Sequence, residues 1–238
     1  MYLSNLKVES DQLPKKAIVC GDPDRATLIA ESLDNRQLLA KNREYYTYVG
    51  YYRNEYIAVV SHGVGSPGAA VCFEQLIQGG VGELIRVGTA GSYQKQVEPG
   101  SLVVSTAAVR TDGLTSQIVP DGFPAVADLK ITNNLVAETE NLYFPTFSGI
   151  TLTLDVFYQG VTPFPHQQYQ AAGVLAVEME IAALYTIASI RNVRAGAIVA
   201  IDGYADADLS VDYNPHTDQM KNAIDQAAEI ALSALTNA

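Results

Sequence analysis

Short apolar runs alternate along the chain with stretches of helical spacing. Ala17 to Cys20 reads as a buried strand running into a Gly-Asp-Pro turn. Arg25 to Leu33 then reads as a helix with Asp24 as its cap. Tyr45 to Gly50 and Tyr56 to Ser61 form an expected strand pair, the second leading into the glycine-rich turn His62 to Gly68. Ala70, Phe73, Leu76 and Ile77 recur at helical spacing and predict a helix over Ala69 to Gly79. Glu83 to Val87 is another short strand, stopped by Gly88-Thr89-Ala90-Gly91, and Leu102 to Val109 is a further one. Val177, Ile181, Leu184 and Ile187 give Val174 to Ile190 the pattern of one long helix. Ala195 to Ile201 is a buried strand closing at Asp202-Gly203. Asp218 to Leu235 carries Met220, Ile224, Ala227 and Ala231 on one helical face.

Strands alternating with helices predict an α/β fold. No linker, charge block or repeat divides the sequence, so one domain is expected over residues 1–238. Ligands in such folds sit beyond strand ends, and each glycine-rich turn named above follows a strand.

Composition narrows the partners. With 48% hydrophobic and 17% charged residues the chain can bury a sizeable core. Its net charge of −11 argues against a nucleic-acid or anionic-membrane partner, though a few arginines in a pocket can still receive an anion. The two cysteines, Cys20 and Cys72, suggest no disulfide framework, and the first residues hold no apolar run long enough for a signal peptide or membrane span. A reducing cytoplasm is the expected compartment. The three histidines, His62, His166 and His216, lack metal-ligand spacing, so no metal is expected. Phosphate-loop and dinucleotide-binding motifs are absent as well.

Four segments carry candidate chemistry. In GDPDR, Gly21 admits an anion to the backbone and Arg25 can fork onto its oxygens, but a plain turn with a solvated arginine explains the residues as well. In IRVGTAGS, Arg86 interrupts an apolar strand and needs an anionic partner, which a ligand or an internal carboxylate could supply. Thr89 adds a hydroxyl at the strand end. In VEME, Glu178 and Glu180 flank Met179 in an apolar stretch: one carboxylate could hold sugar hydroxyls, or both could serve a helix N-terminus. Asp202 could be an apolar-shielded general acid or the first residue of an ordinary Asp-Gly turn.

Read in order, GDPDR, NREYYTY, SHGVGSPGAAVCFEQLI, IRVGTAGS, DGFPAVAD, VEMEIAAL and the IDG strand end resemble the nucleoside phosphorylase family, which includes hexameric purine nucleoside phosphorylases and uridine phosphorylases. Asn42 through Ile77 is especially similar to the purine enzymes of malaria parasites. The resemblance implies a single α/β domain with a mixed central sheet flanked by helices. It also implies phosphate-dependent cleavage of a nucleoside, with inorganic phosphate as co-substrate and no other cofactor. Gly21, Arg25, Arg86 and Thr89 would bind phosphate, completed by Arg43 of a neighbouring subunit. A homodimer would thus be the minimal active unit, and a homohexamer, a trimer of dimers, the expected assembly. Glu180 and Met179 would hold the ribose. Val64, Ala90, Gly91, Phe157, Val177 and Glu178 would line the base pocket, and Asp202 would protonate the purine.

Departures from the family pattern bear on specificity. Asn5 is counted with the ribose-binding residues, at the position where members with a purine preference often place a histidine from the neighbouring subunit near the 5′-hydroxyl. Thr89 is the residue of uridine enzymes where purine enzymes often have serine. The Asp-rich loop Tyr204 to Tyr213 has no counterpart to the family's loop arginine or tryptophan. Asp202, together with the lack of arginine in Gln159 to Gly173, favours a purine nucleoside such as inosine or guanosine. Uridine phosphorylase is the alternative, followed by a hydrolase of thioadenosine-type nucleosides and a non-catalytic nucleoside-binding protein.

Overall fold

The structure is a computed structural model and describes residues 1–205 and 217–237. Two short strands, β1 (Tyr2–Leu3) and β2 (Val8–Glu9), pair with each other antiparallel. Then follow β3 (Lys16–Cys20), α1 (Pro23–Ala30), β4 (Asp34–Asn42), β5 (Tyr45–Tyr52), β6 (Glu55–Ser61), α2 (Ser66–Gln78), β7 (Glu83–Ser92) and β8 (Leu102–Arg110). The second half holds α3 (Thr115–Ile118), β9 (Ala125–Val126), α4 (Leu129–Leu142), β10 (Thr146–Thr153), α5 (His166–Ala171), β11 (Ala176–Glu178), α6 (Ile181–Arg191), β12 (Arg194–Tyr204) and α7 (Asp218–Thr236). No helix among the described residues is long and apolar enough to cross a membrane.

A 10-stranded mixed sheet runs in the order β11-β10-β8-β12-β7-β3-β6-β5-β4, with β9 added beside β8. Strand alternation decides which side chains meet which helices. Ala17 and Val19 pack with α2 and α6 on one face, whereas Ile18 and Cys20 pack with α1, α4 and α7 on the other. The expected α/β architecture with a mixed sheet between helices is what the chain adopts.

The long strand β7 changes partners along its length. Its first half pairs parallel with β3, from Lys16↔Glu83 to Val19↔Arg86. Its far end pairs antiparallel with β11, at Gly91↔Val177 and Ser92↔Ala176. Since β11 also pairs with β10, the pairings β7, β12, β8, β10 and β11 close into a ring at one side of the open sheet. The point where β7 leaves the open sheet for the ring is where the cleft lies.

Several boundaries differ from the sequence reading, each for a physical reason. Gly88 to Gly91 does not stop β7, because its backbone is paired there with β12 and β11. The helix over Val174 to Ile190 is instead a strand followed by a shorter helix, since β11 gains ladder bonds from two neighbours. Asp22, not Asp24, caps α1, accepting from the Asp24 amide at 2.9 Å with Pro23 in the first turn. The second strand of the GTAG region, β12, likewise continues through Asp202-Gly203 to Tyr204. Neither β4 nor β10 was marked by apolar periodicity. Asp34 to Leu38 of β4 is solvent-exposed, so its edge position follows from pairing with β5.

Gly196 lets α4 approach β12 closely: a Cβ there would strike Ile131 Cγ2 and come within 3.3 Å of Leu135 Cδ1. Gly196→Ala should therefore destabilise the fold by about 1–3 kcal/mol through overpacking. Urea denaturation would register this as a lower midpoint at unchanged slope; an unchanged midpoint would contradict the close α4–β12 packing.

Candidate active site

Arg86 organises the cleft from inside the sheet. It follows Ile85 and precedes Val87, whose side chains join the α7-side core, so alternation turns Arg86 towards α6. Its guanidinium folds back over Gly88, where any Cβ would fall on Nη1 and Cζ. Arg86 keeps 4% of its surface exposed, too little for water to solvate the charge. Two carboxylates supply the countercharge. Nη2 pairs with Glu180 Oε2, and with Glu178 Oε2 at 3.1 Å. Among the described residues, Nε and Nη1 have no hydrogen-bond partner.

Glu180 is held from a second side, because its Oε1 accepts the Gly65 amide at 2.6 Å. Gly65 lies in the turn between β6 and α2 at φ 92°, a left-handed geometry that suits glycine. Ser66 Oγ donates to the Met179 carbonyl at 3.1 Å, docking this turn onto the start of α6. Burial pushes the Glu180 carboxyl up, but the charge of Arg86, together with the Gly65 amide, holds it below the usual carboxylate range. Burial pushes Glu178 up, opposed by Arg86, with the charge of Glu180 adding to the rise.

Around this cluster lies a cleft of about 1840 Å³. Gly21 and Arg25, at the β3–α1 junction, lie on it together with Arg86 and Thr89 of β7. Met179 and Glu180 line it between β11 and α6, and Asp202 lines it from β12. Asp202 sits at a ladder irregularity: Ile201 pairs with Ala90 and Gly203 with Gly91, leaving Asp202 as the extra residue. Such a bulge re-aims a side chain out of regular alternation. Val64, Ala90, Gly91, Phe157 and Val177 also line the cleft, so strand ends far apart in sequence converge on one space.

Two expected site residues, Arg43 and Asn5, are not among the residues that line this cleft, although Glu44, next to Arg43, is. Arg43 is exposed at the two-residue turn between β4 and β5, with φ 55°. Asn5 is half-buried, its amide donating to Gln75 Oε1 at 2.9 Å and its carbonyl accepting from Asn42 Nδ2 at 2.7 Å. They occupy one neighbourhood on the surface, joined through Asn42. Glu178, expected at the base, has a side chain with 0% exposure and both oxygens taken by the protein's own donors. Glu178 also lines the cleft, but its carboxylate is engaged by Thr153 of β10, by the first amides of α6 and by Arg86. The expected loop Tyr204 to Tyr213 lies, from residue 206 on, outside the described residues, as does His216.

The cleft also has lining that motif reading did not select, beside Gln167 and Gln168 of the segment weighed for uracil recognition. Glu44 joins it at the rim, and Pro163 to Gln168 form a wall opposite β7. In that wall Tyr93 Oη and His166 Nδ1 are 2.8 Å apart, and Phe164 stacks on the His166 ring. Gln94 anchors α5 by donating to the carbonyls of Gln170 and Val174. The signal available in sequence was the glutamine run at 167–168 beside a histidine; its distance from β7 along the chain hid the contact.

A profile of the phosphorylase superfamily matches residues 15–236. The chain is 36% identical over 238 residues to the purine nucleoside phosphorylase of Plasmodium falciparum, across 98% of this chain and 95% of that one. It is 32% identical over 231 residues to the uridine phosphorylase of Escherichia coli, across 92% of this chain and 90% of that one. The crystal structure of purine nucleoside phosphorylase from Toxoplasma gondii in complex with immucillin-H aligns at a TM-score of 0.94 and 31% identity, covering 98% and 94% of the two chains. Uridine phosphorylase from Vibrio fischeri ES114 aligns at 0.92 and 30%, covering 98% and 97%. The chain belongs to the phosphorylase superfamily. Within it, the protein is an enzyme of the nucleoside phosphorylase type, a pentosyltransferase.

His62 stands behind the Gly63–Val64 wall, fully buried, with Nδ1 2.8 Å from the Gly63 carbonyl and its ring edge-on to Phe73. Burial lowers its pKa from 6.5 to about 4, against the pull of Glu180 and with the push of Arg86. Between those values the unfolded chain binds the proton and the folded one does not. This group therefore leaves stability intact above pH 6.5 and removes it as pH falls towards about 4. Denaturation midpoints at pH 7 and pH 5 should fall further apart for the native chain than for His62→Gln; identical pH dependence would contradict a neutral His62.

Proposed function

We propose that the protein is a purine nucleoside phosphorylase, cleaving inosine- and guanosine-type nucleosides with inorganic phosphate to free base and ribose 1-phosphate. The observation that carries this is the Arg86 guanidinium, buried at the cleft with Nε and Nη1 unpartnered among the described residues and Nη2 committed to carboxylates. Buried donors without acceptors are costly. An oxyanion taking them, beside Gly21, Arg25 and Thr89, removes that cost and gains charge-assisted bonds. Glu180, ionised next to this position, suits the hydroxyls of a ribose, with Met179 against the sugar.

The reaction then follows from charge. The C1′–N9 bond breaks with its electron pair leaving on the base, and positive charge develops on the ribose. Phosphate held beneath the sugar stabilises that charge and forms the new C1′–O bond. Asp202, turned out of the ladder at the cleft wall, supplies the proton that neutralises the departing purine at N7. No other cofactor enters this scheme.

Arg43 and Asn5, exposed or half-exposed in one neighbourhood outside the cleft lining, are suited to serve the cleft of a second copy. This reading makes a homodimer the minimal active unit and a trimer of dimers the full assembly. It assigns the protein to cytoplasmic purine salvage.

A second reading, uridine phosphorylase, has an observation of its own. Gln167 and Gln168 both line the cleft, and a primary amide can pair with the imide edge of uracil. Relatives at similar identity carry both names.

Inosine, guanosine, adenosine, uridine and methylthioadenosine, each with and without phosphate, separate these readings. Phosphate-dependent cleavage of inosine or guanosine is the expected result. Uridine turnover well above inosine would transfer the assignment to the second reading, and cleavage without phosphate would make the protein a hydrolase. Asp202→Asn should lower kcat on inosine by about 10²–10⁴-fold, the usual range for acid–base catalysis, with phosphate affinity retained. Equal loss of both would place Asp202 in anion binding instead.

A further inference from the structure

Glu178 and Glu180 both reach Arg86, yet they are used very differently. We propose that Glu178 is a positioning residue that fixes Arg86 and Glu180 relative to each other and does not itself read the base. What the cleft binds is taken from the phosphorylase reading above.

Glu178 ends β11 and lies opposite Thr153, the last residue of β10, in a parallel register. Its Oε1 accepts from Thr153 Oγ1 at 2.6 Å and from the Ile181 amide at 2.9 Å. Its Oε2 accepts from the Glu180 amide at 2.7 Å and faces Arg86 Nη2 at 3.1 Å. Thr153 Oγ1 in turn accepts from the Ala182 amide at 2.8 Å. The Glu178–Thr153 pair therefore satisfies the amides of Glu180, Ile181 and Ala182, which a helix leaves without internal partners at its start.

The consequence falls on Glu180. It occupies the N-cap position of α6, where a side chain ordinarily turns back onto the helix amides, yet it makes no such bond. Glu178 takes over that task from two residues upstream. The Glu180 carboxylate is left for the Gly65 amide, Arg86 and the cleft. Glu178 also holds Nη2 of Arg86 on the carboxylate side, which leaves Nε and Nη1 as the donors still without acceptors. One buried carboxylate thus sets the aim of both the anion-binding and the ribose-binding groups.

The test compares the native chain with Glu178→Gln and Thr153→Val. Inorganic phosphate binding is measured by calorimetry, and steady-state kinetics are run with inosine and uridine. Glu178→Gln places an amide NH₂ against N–H donors, so phosphate Kd and phosphate KM should rise by at least about ten-fold, the effect of one charge-assisted hydrogen bond. The inosine-to-uridine ratio of kcat/KM should stay unchanged. Thr153→Val should move phosphate affinity in the same direction by less. A shifted base ratio with native phosphate affinity would overturn the proposal, since that is the behaviour of a base-reading residue. Should Glu178→Gln fail to fold, native phosphate affinity in Thr153→Val would overturn it alone. Phosphate calorimetry needs no turnover, so a native chain that binds phosphate but cleaves no nucleoside would sink the phosphorylase reading and leave this comparison intact.

Discussion

A permanently charged guanidinium inside a β-sheet is the constraint on which the rest of this site depends. Arg86 has too little contact with water to be solvated, so the protein must surround it with countercharge. It does so with Glu178 and Glu180, giving a buried cluster with two carboxylates to one arginine. That arrangement requires glycine at position 88, where the guanidinium lies against the backbone. It requires the β11–α6 turn to stand close to β7, which the antiparallel pairing at Gly91↔Val177 provides. Among the described residues it also leaves Nε and Nη1 without acceptors, an unusual state for buried donors.

The fold serves this cluster by letting one strand belong to two systems. Over its first half β7 lies in an open α/β sheet beside β3, so the β3–α1 turn brings Gly21 and Arg25 to the cleft. Over its second half it belongs to the ring closed by β11, which brings Met179 and Glu180 to the same cleft. The bulge at Asp202 on β12 adds a carboxyl at the same level as Ala90 and Gly91. Hydrogen-bonded strands fix these distances more firmly than loops could. The wall formed by Pro163 to Gln168 is tied to the end of β7 through the Tyr93–His166 contact and bounds the same cleft.

Much of this was legible along the chain. The α/β class, the central strands and the terminal helix followed from apolar periodicity, because buried strands and amphipathic helices leave period-specific marks. Arg86 announced itself as a charge within an apolar run. The VEME segment was harder: its apolar spacing suits a helix, and only the ladder bonds offered by β10 and β7 make it a strand and a turn. Strand β4 left no mark at all, since an exposed edge needs no apolar residues.

The sequence by itself therefore determined the fold class, the strand ends at which ligands could gather, and the family through its ordered motifs. Only the tertiary structure decided how the two segments that first suggested an anion site are completed. It put Glu180 on Arg86 and in the cleft, tied Glu178 to the helix start, and left Arg43 and Asn5 outside the cleft lining. The reason is physical. Periodicity records whether a side chain is buried, whereas the partner of a buried charge is fixed by strand pairing between segments far apart in the chain, and no local pattern encodes that pairing.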